Sequence, residues 1–157
     1  MAQKRGYKAS DIVLQNAAEA EIRRYADSPY LWCKHVLGVE LAVHQLMYWT
    51  HFRENPNCAL IGSRRIQKSF AASMFFLYEA ATKPWSEINI HAPAQEQSKR
   101  NLKYMTDRIL ESPILGAYID RRIGEGIGKE YIEFVNKSMI QAKGQAQSTD
   151  GLGATHQ

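Results

Sequence analysis

A chain of 157 residues is long enough for one domain with a sizeable core, and 45% hydrophobic against 23% charged residues argues against disorder. The formal charge of +4 is compatible with a polyanionic partner without requiring one. No apolar run reaches membrane-spanning length, Met1 leads into no signal-peptide core, and Cys33 and Cys58 form no C-x-x-C, which excludes a disulfide framework. The expectation is a soluble cytoplasmic protein with two free thiols and no membrane partner.

Residues 1–9 are polar and basic and read as a flexible tail. Ser10 offers an N-cap with Asp11 in the first turn, predicting a helix to about residue 27. Ser28-Pro29 is a second cap with proline at the first helical position. That helix carries Leu31, Trp32, His35 and Val36 and stops at Gly38, a residue suited to the left-handed C-terminal position. A third helix starts near Ala42 or His44, carries Leu46, Met47, Trp49 and Phe52, and breaks at Asn55-Pro56-Asn57. Aromatics such as Tyr30, Trp32, Tyr48 and Trp49 fall at helical spacing, as core residues do. Residues 10–56 thus form a helical leader.

Ala59-Leu60-Ile61-Gly62-Ser63-Arg64-Arg65-Ile66-Gln67-Lys68-Ser69 then reads as the end of a short strand at 58–61, a basic loop, and a Lys-Ser pair opening a helix. This is the layout of a phosphate-binding loop, G-x-x-x-x-G-K-[ST]. Backbone N–H groups of such a loop surround phosphate, the lysine reaches the terminal phosphates, and the hydroxyl ligates Mg²⁺. Gly62, Lys68 and Ser69 fill three of the four positions, and Gln67 stands where the second glycine is expected. The nucleotide-binding candidates are therefore Gly62, Ser63, Arg64, Arg65, Ile66, Gln67, Lys68 and Ser69, with Ser69 as the metal ligand. A plainer reading, a basic turn with a solvated lysine, stays open on these residues alone.

The helix after Lys68 contains Phe70, Met74, Phe75, Phe76 and Leu77 and is apolar nearly all round, predicting burial against a sheet until Lys83-Pro84 ends it. Residues 88–92 read as a second buried strand. Gln95 opens an amphipathic helix with Leu102, Met105 and Ile109 on one stripe and Lys99, Arg100, Lys103 and Arg108 elsewhere. Strand, helix, strand, helix is the order of a parallel α/β sheet. Residues 116–128 form a glycine- and charge-rich connection holding Arg121 and Arg122, and 131–135 and 138–142 alternate as a hairpin turning at Asn136-Lys137. The five histidines form no metal-ligating cluster, and no G-x-S-x-G elbow is present.

The order of these features resembles the N-terminal ATPase part of the phage terminase large subunit, the motor that packages DNA into capsids. Leu37-Gly38-Val39-Glu40-Leu41-Ala42-Val43-His44-Gln45 is similar to the family's leader into its adenine-reading Gln, and Ser63-Arg64-Arg65-Ile66-Gln67-Lys68-Ser69 to its S-R-x-x-G-K-[ST] loop. Ile90-His91-Ala92-Pro93-Ala94-Gln95-Glu96-Gln97 resembles its second core strand. The hairpin at 132–141 with Ser148-Thr149-Asp150-Gly151-Leu152-Gly153 resembles the segment before its Walker B strand.

The resemblance covers residues 28–157 and implies an α/β P-loop NTPase core (RecA-like, ASCE) over 57–157, with ATP and Mg²⁺ as cofactors. It implies that Gln45 reads the adenine edge, that Lys68 contacts the β- and γ-phosphates, that Ser69 meets Mg²⁺ and that Arg64 lies near the phosphates. Lys99, Arg100, Arg108, Arg121 and Arg122 become candidates for DNA backbone contacts or for an arginine finger acting on a neighbouring subunit. Implied partners are double-stranded DNA, a portal protein, the small terminase subunit and further copies in a ring. Two departures accompany it. Gln67 replaces the loop glycine, and 57–157 is expected to be a partial core without the Asp-Glu strand, so that the chain alone sustains no steady ATP turnover. A non-catalytic, ATPase-shaped module that binds DNA or a partner protein is the alternative.

Overall fold

The computed structural model describes residues 6–63, 67–121 and 126–144. The fold is mixed α/β, with helices α1 (Ala9–Arg24), α2 (Pro29–Trp32), α3 (Val43–Glu54), α4 (Lys68–Thr82), α5 (Gln95–Glu111) and α6 (Pro113–Ala117), and strands β1 (Glu87–Ala92), β2 (Tyr131–Glu133) and β3 (Met139–Gly144).

Local chemistry explains most of the boundaries. The α1 start falls two residues before the expected one, with Lys8 rather than Ser10 at the N-cap position, and Asp11 serves it: the Lys8 N–H donates to the Asp11 carboxylate at 3.1 Å. Pro29 occupies the first turn of α2, which runs on through a π-helical turn, Cys33–Leu37, to Gly38 with φ 68°. That left-handed geometry is the one glycine adopts without steric cost. Helix α6 is not among the expected elements, and only its last two residues, Gly116 and Ala117, fall in the expected connection. Its signal is Ser112-Pro113, the same cap-and-proline pair as Ser28-Pro29. The Ser112 hydroxyl accepts from the Leu115 N–H at 3.1 Å and donates to the Val36 carbonyl at 2.5 Å. One side chain therefore starts α6 and fastens it to the leader.

The sheet has the order β1-β3-β2, with β1 parallel and β2 antiparallel to β3. Register places Ile88 and Ile132 beside Ile140, and Ile90 beside Ala142, so one face is apolar. Asn89, His91, Gln141 and Lys143 lie on the other face. The expectation of a buried strand is thus corrected for β1, which is buried on one face only, with Asn89 and His91 exposed. Helix α5 covers the apolar face, and its stripe of Leu102, Met105 and Ile109 is fully buried. Each of these side chains contributes roughly 1.5–3 kcal/mol as an upper estimate. The expected packing of α4 is also corrected: it lies mainly against α3 and α5 and only slightly against the sheet. Its own all-round apolar surface suits a helix held between helices.

Residues 58–61 form no strand. Ile61 is 94% exposed, and no ladder partner lies beside the segment among the described residues. A four-residue apolar run becomes a strand only when a neighbour completes its hydrogen bonds.

The hairpin is present, but its loop spans three residues. The Lys137 N–H donates to the Phe134 carbonyl, the Phe134 N–H to the Ser138 carbonyl, and Lys137 takes φ 72°. This is a type I turn followed by a left-handed bulge residue. Asn136 at its tip donates to the Ala80 carbonyl at 2.8 Å, and Ser138 donates to the Lys83 carbonyl at 2.7 Å. The hairpin thus fixes the C-terminal end of α4 to the sheet.

The region expected to be a tail is held at Tyr7, whose hydroxyl donates to Asp120 at 2.8 Å across 113 residues of sequence. Burial, then the Asp120 bond, raises that phenol above its ordinary range. Residues 1–5 lie outside the described residues. Cys33 is buried and Cys58 exposed, and burial pushes the Cys33 thiol up.

Tyr118 is 3% exposed, and its phenol is pushed up from 10.0 to about 12 by burial and then by Glu19, with Arg23 opposing. Below pH 10 the phenol is protonated in both states and its burial stabilises fully. Above that pH the unfolded chain releases a proton that the folded chain retains, so stability falls as pH rises towards 12. Urea midpoints measured from about pH 9 to about pH 12 are therefore expected to fall more steeply for the wild type than for Tyr118→Phe. Equal slopes contradict this assignment.

Candidate functional site

The candidate site is the N-terminal end of α4. The first intrahelical bond runs from the Ala71 N–H to the Gln67 carbonyl at 3.0 Å, so the N–H groups of Lys68, Ser69 and Phe70 have no acceptor within the helix. Such an end carries a partial positive charge and suits an anion.

Gln67 is the residue before the helix and has φ 51° and ψ 38°. The position where the loop pattern expects glycine therefore takes left-handed backbone, and a side chain there costs about 1–2 kcal/mol. The Gln67 side chain recovers part of that cost by accepting a hydrogen bond from the Gln45 amide at 3.3 Å.

Gln45 lies on α3, 22 residues earlier, and is 4% exposed. Its oxygen accepts from the Ala42 N–H at 2.9 Å, which caps α3, while its nitrogen faces Gln67. The alignment has a simple cause. One turn further along each helix, the Trp49 indole N–H donates to the Ala71 carbonyl at 2.9 Å. Gln45 with Trp49, and Gln67 with Ala71, share the same four-residue spacing, so one contact sets the other.

Lys68 turns back onto the loop, donating to the Ser63 carbonyl at 2.8 Å and to the Gly62 carbonyl. Ser69 is exposed beside Lys68, and its carbonyl accepts from the Ser73 hydroxyl at 2.8 Å. Arg64, Arg65 and Ile66 lie outside the described residues.

A cavity of about 660 Å³ opens at this helix end, lined by Gln67, Lys68, Ser69, Phe70, Tyr104 and Arg108. Tyr104 and Arg108 come from α5, one turn apart. Sequence reasoning passes over Phe70 and Tyr104 and groups Arg108 with the surface cations. For Tyr104 and Arg108 the available signal is their position next to the buried Met105 and Ile109 on α5. The Arg108 guanidinium lies 5.9 Å from the centroid of the Phe70 ring and pairs with Glu111 at 2.8 Å.

The other candidate cations are dispersed. Lys99 pairs with Glu130 at 3.3 Å near β2, and Arg100 is exposed on α5. Arg121 lies next to Tyr7, whose hydroxyl accepts its backbone N–H at 3.2 Å, and Arg122 lies outside the described residues. Lys103 is matched by Asp107 at 2.7 Å. Acids thus accompany Lys99, Lys103 and Arg108 along α5. Among the described residues no group of three or more His, Cys, Asp or Glu converges on a metal position, so a cation here would rely on Ser69, water and ligand oxygens.

The sequence matches no protein-family model and no curated protein.

The left-handed assignment at Gln67 has a direct test. In Gln67→Gly, relief of the backbone strain and the greater unfolded-state freedom of glycine nearly offset, leaving stability within about 1 kcal/mol of wild type. Gln67→Val loses the same Gln45 bond but places a β-branched residue at positive φ, and is expected to be about 1–2 kcal/mol less stable than the glycine variant. Equal urea stabilities for the two variants contradict the assignment.

Proposed function

We propose that the chain binds Mg²⁺-ATP at the N-terminal end of α4, as part of the ATPase motor of a viral DNA-packaging enzyme of the terminase large-subunit type. The observation that carries this reading is the convergence of Gln45, Gln67, Lys68 and Ser69, from two helices, on one helix N-terminus beside a cavity.

In this reading the fold is a P-loop NTPase core carrying a helical leader. Lys68 exchanges the Gly62 and Ser63 carbonyls for the β- and γ-phosphates. The backbone N–H groups opening α4 donate to phosphate oxygens, and the Ser69 hydroxyl joins the Mg²⁺ shell. Gln45 reads the adenine edge by exchanging its Gln67 contact for the base. Arg64 completes the charge around the phosphates. Bound Mg²⁺ supplies neutralisation of the triphosphate charge. The proposed setting is the host cytoplasm, with double-stranded DNA, a portal protein, the small terminase subunit and a homo-oligomeric ring as partners.

A second reading, a non-catalytic module that binds DNA or a partner protein, is favoured by two observations. Lys68 is already satisfied by two loop carbonyls, and Gln67 places a side chain at the loop glycine position.

Calorimetry with Mg²⁺-ATP separates the two. Nucleotide binding predicts saturable heat for the wild-type chain and an affinity at least about tenfold lower for Lys68→Ala, the loss of one charge-assisted phosphate contact. Binding by Gln67→Gly alone identifies Gln67 as the residue that disables the loop. A folded chain that is silent both as wild type and as Gln67→Gly contradicts nucleotide binding and supports the interaction module.

A further inference from the structure

We propose that the cavity between the C-terminal ends of α1 and α4 binds a small alkylammonium ion through the Tyr118 hydroxyl and the Glu19 carboxylate. The site lies at the opposite end of α4 from the nucleotide candidate and does not rest on that reading.

The observation that points to a ligand is the Tyr118 hydroxyl. Tyr118 is 3% exposed and its backbone is bonded to Leu115 and Val135, yet its hydroxyl makes no hydrogen bond among the described residues. Two other covered phenols are satisfied, Tyr7 by Asp120 and Tyr78 by the Ala26 carbonyl. Leaving a buried hydroxyl without a partner is costly, and folded chains avoid it. Among the described residues, Trp32 Nε1 is the one side-chain polar atom both sealed from solvent and partnerless, so the Tyr118 oxygen is not sealed. The space beside it is a cavity of about 310 Å³, which Tyr118 lines together with Glu19 and Ile22 of α1, Thr82 of α4 and Asn136 of the hairpin. That volume is at the small end of ligand pockets.

The charge around the cavity selects a cation. Ile22 lies in the last turn of α1, and Thr82 ends α4. Helix C-terminal ends carry partial negative charge, and here two of them meet. Glu19 and Arg23 both line the cavity and both act on the phenol, where Glu19 outweighs Arg23. Arg23 bonds Glu19 at 2.5 Å, but its side chain is 74% exposed and faces solvent. A carboxylate has acceptor sites on two oxygens, so one arginine contact leaves capacity for a second donor. The neighbouring polar groups are already engaged. The Asn136 amide donates to the Ala80 and Ala81 carbonyls, its oxygen accepts from the Ser138 N–H, and the Thr82 hydroxyl donates to the Tyr78 carbonyl. Tyr118 and Glu19 therefore hold the unused capacity, and an ammonium, with three donors, serves both. Ile22 and Ala81 offer apolar surface to a short alkyl stem. Binding is non-covalent, and no group changes its protonation.

The test is a proton–nitrogen NMR titration of the full chain with n-butylammonium, n-butanol and n-butyrate at matched ionic strength. Wild type, Tyr118→Phe and Glu19→Gln are compared, and the dispersion of each spectrum reports folding. Wild type is expected to show saturable shifts of the Ile22, Arg23, Thr82 and Asn136 amides with butylammonium. Butanol is expected to bind at least about tenfold more weakly, and butyrate not at all. Tyr118→Phe keeps the buried ring and removes a hydroxyl without a protein partner, and is expected to weaken butylammonium about fivefold. Glu19→Gln is expected to weaken it about tenfold, the loss of a charge-assisted bond. Shifts that do not saturate in wild type overturn the proposal. So does equal affinity for butanol or butyrate, or an unchanged affinity in either variant. If Tyr118→Phe does not fold, Glu19→Gln and the comparison of the three probes decide.

Discussion

The Trp49 indole N–H donates to the Ala71 carbonyl, and its ring packs edge-on to Phe75, with centroids 5.4 Å apart, and against Tyr78 at the same distance. This contact locks α3 to α4, and the rest of the site depends on it. An α-helix repeats its face every three to four residues, so fixing Trp49 against Ala71 brings Gln45, one turn earlier on α3, to the start of α4, where the left-handed Gln67 meets it. The polar pair then sits at the mouth of the α4 N-terminus. On the other flank, the buried stripe of α5 brings Tyr104 and Arg108 to the same helix end. The hairpin closes the arrangement from below, because Asn136 takes the last carbonyls of α4 and Ser138 ties the following turn to β3.

Charge and strain are concentrated where the chain is least covered. The core residues of α4 and α5 are apolar and ordinary, whereas the start of α4 combines left-handed backbone at Gln67, N–H groups with no acceptor inside the helix and an ammonium folded onto two carbonyls. Strained or unsatisfied groups persist where surrounding packing over-determines them. Here the packing is that of α4 against α3 and α5.

What was legible in the sequence was mostly punctuation and periodicity. Ser28-Pro29, Gly38 and Asn55-Pro56 bounded the leader because each imposes a local backbone geometry. Leu102, Met105 and Ile109 marked the buried face of α5 because their spacing follows the helical repeat. The short run at 58–61 misled because four apolar residues carry no period, and only a partner strand would have made them β. Helix α6 was passed over although Ser112-Pro113 repeats an earlier signal, since its five residues, including Gly116, have little helical character of their own. The bond from Tyr7 to Asp120 joins residues 113 apart and depends on tertiary packing that no local pattern encodes. At the site, the substitution at Gln67 was visible, but its left-handed backbone and its contact with Gln45 were not. Arg108 resembled the other α5 cations in sequence, and only the crossing of α5 over α4 distinguishes it.

The most direct measurement is an NMR titration of isotope-labelled chain with Mg²⁺-ATP, following backbone amides and glutamine side-chain amides together. Nucleotide binding at the start of α4 predicts saturable shifts of the Gln67, Lys68 and Ser69 amides and of the Gln45 side-chain amide, sharing one affinity. A folded spectrum in which these signals stay fixed, with no shifts or with shifts only elsewhere, such as around Tyr7 and Asp120, contradicts it.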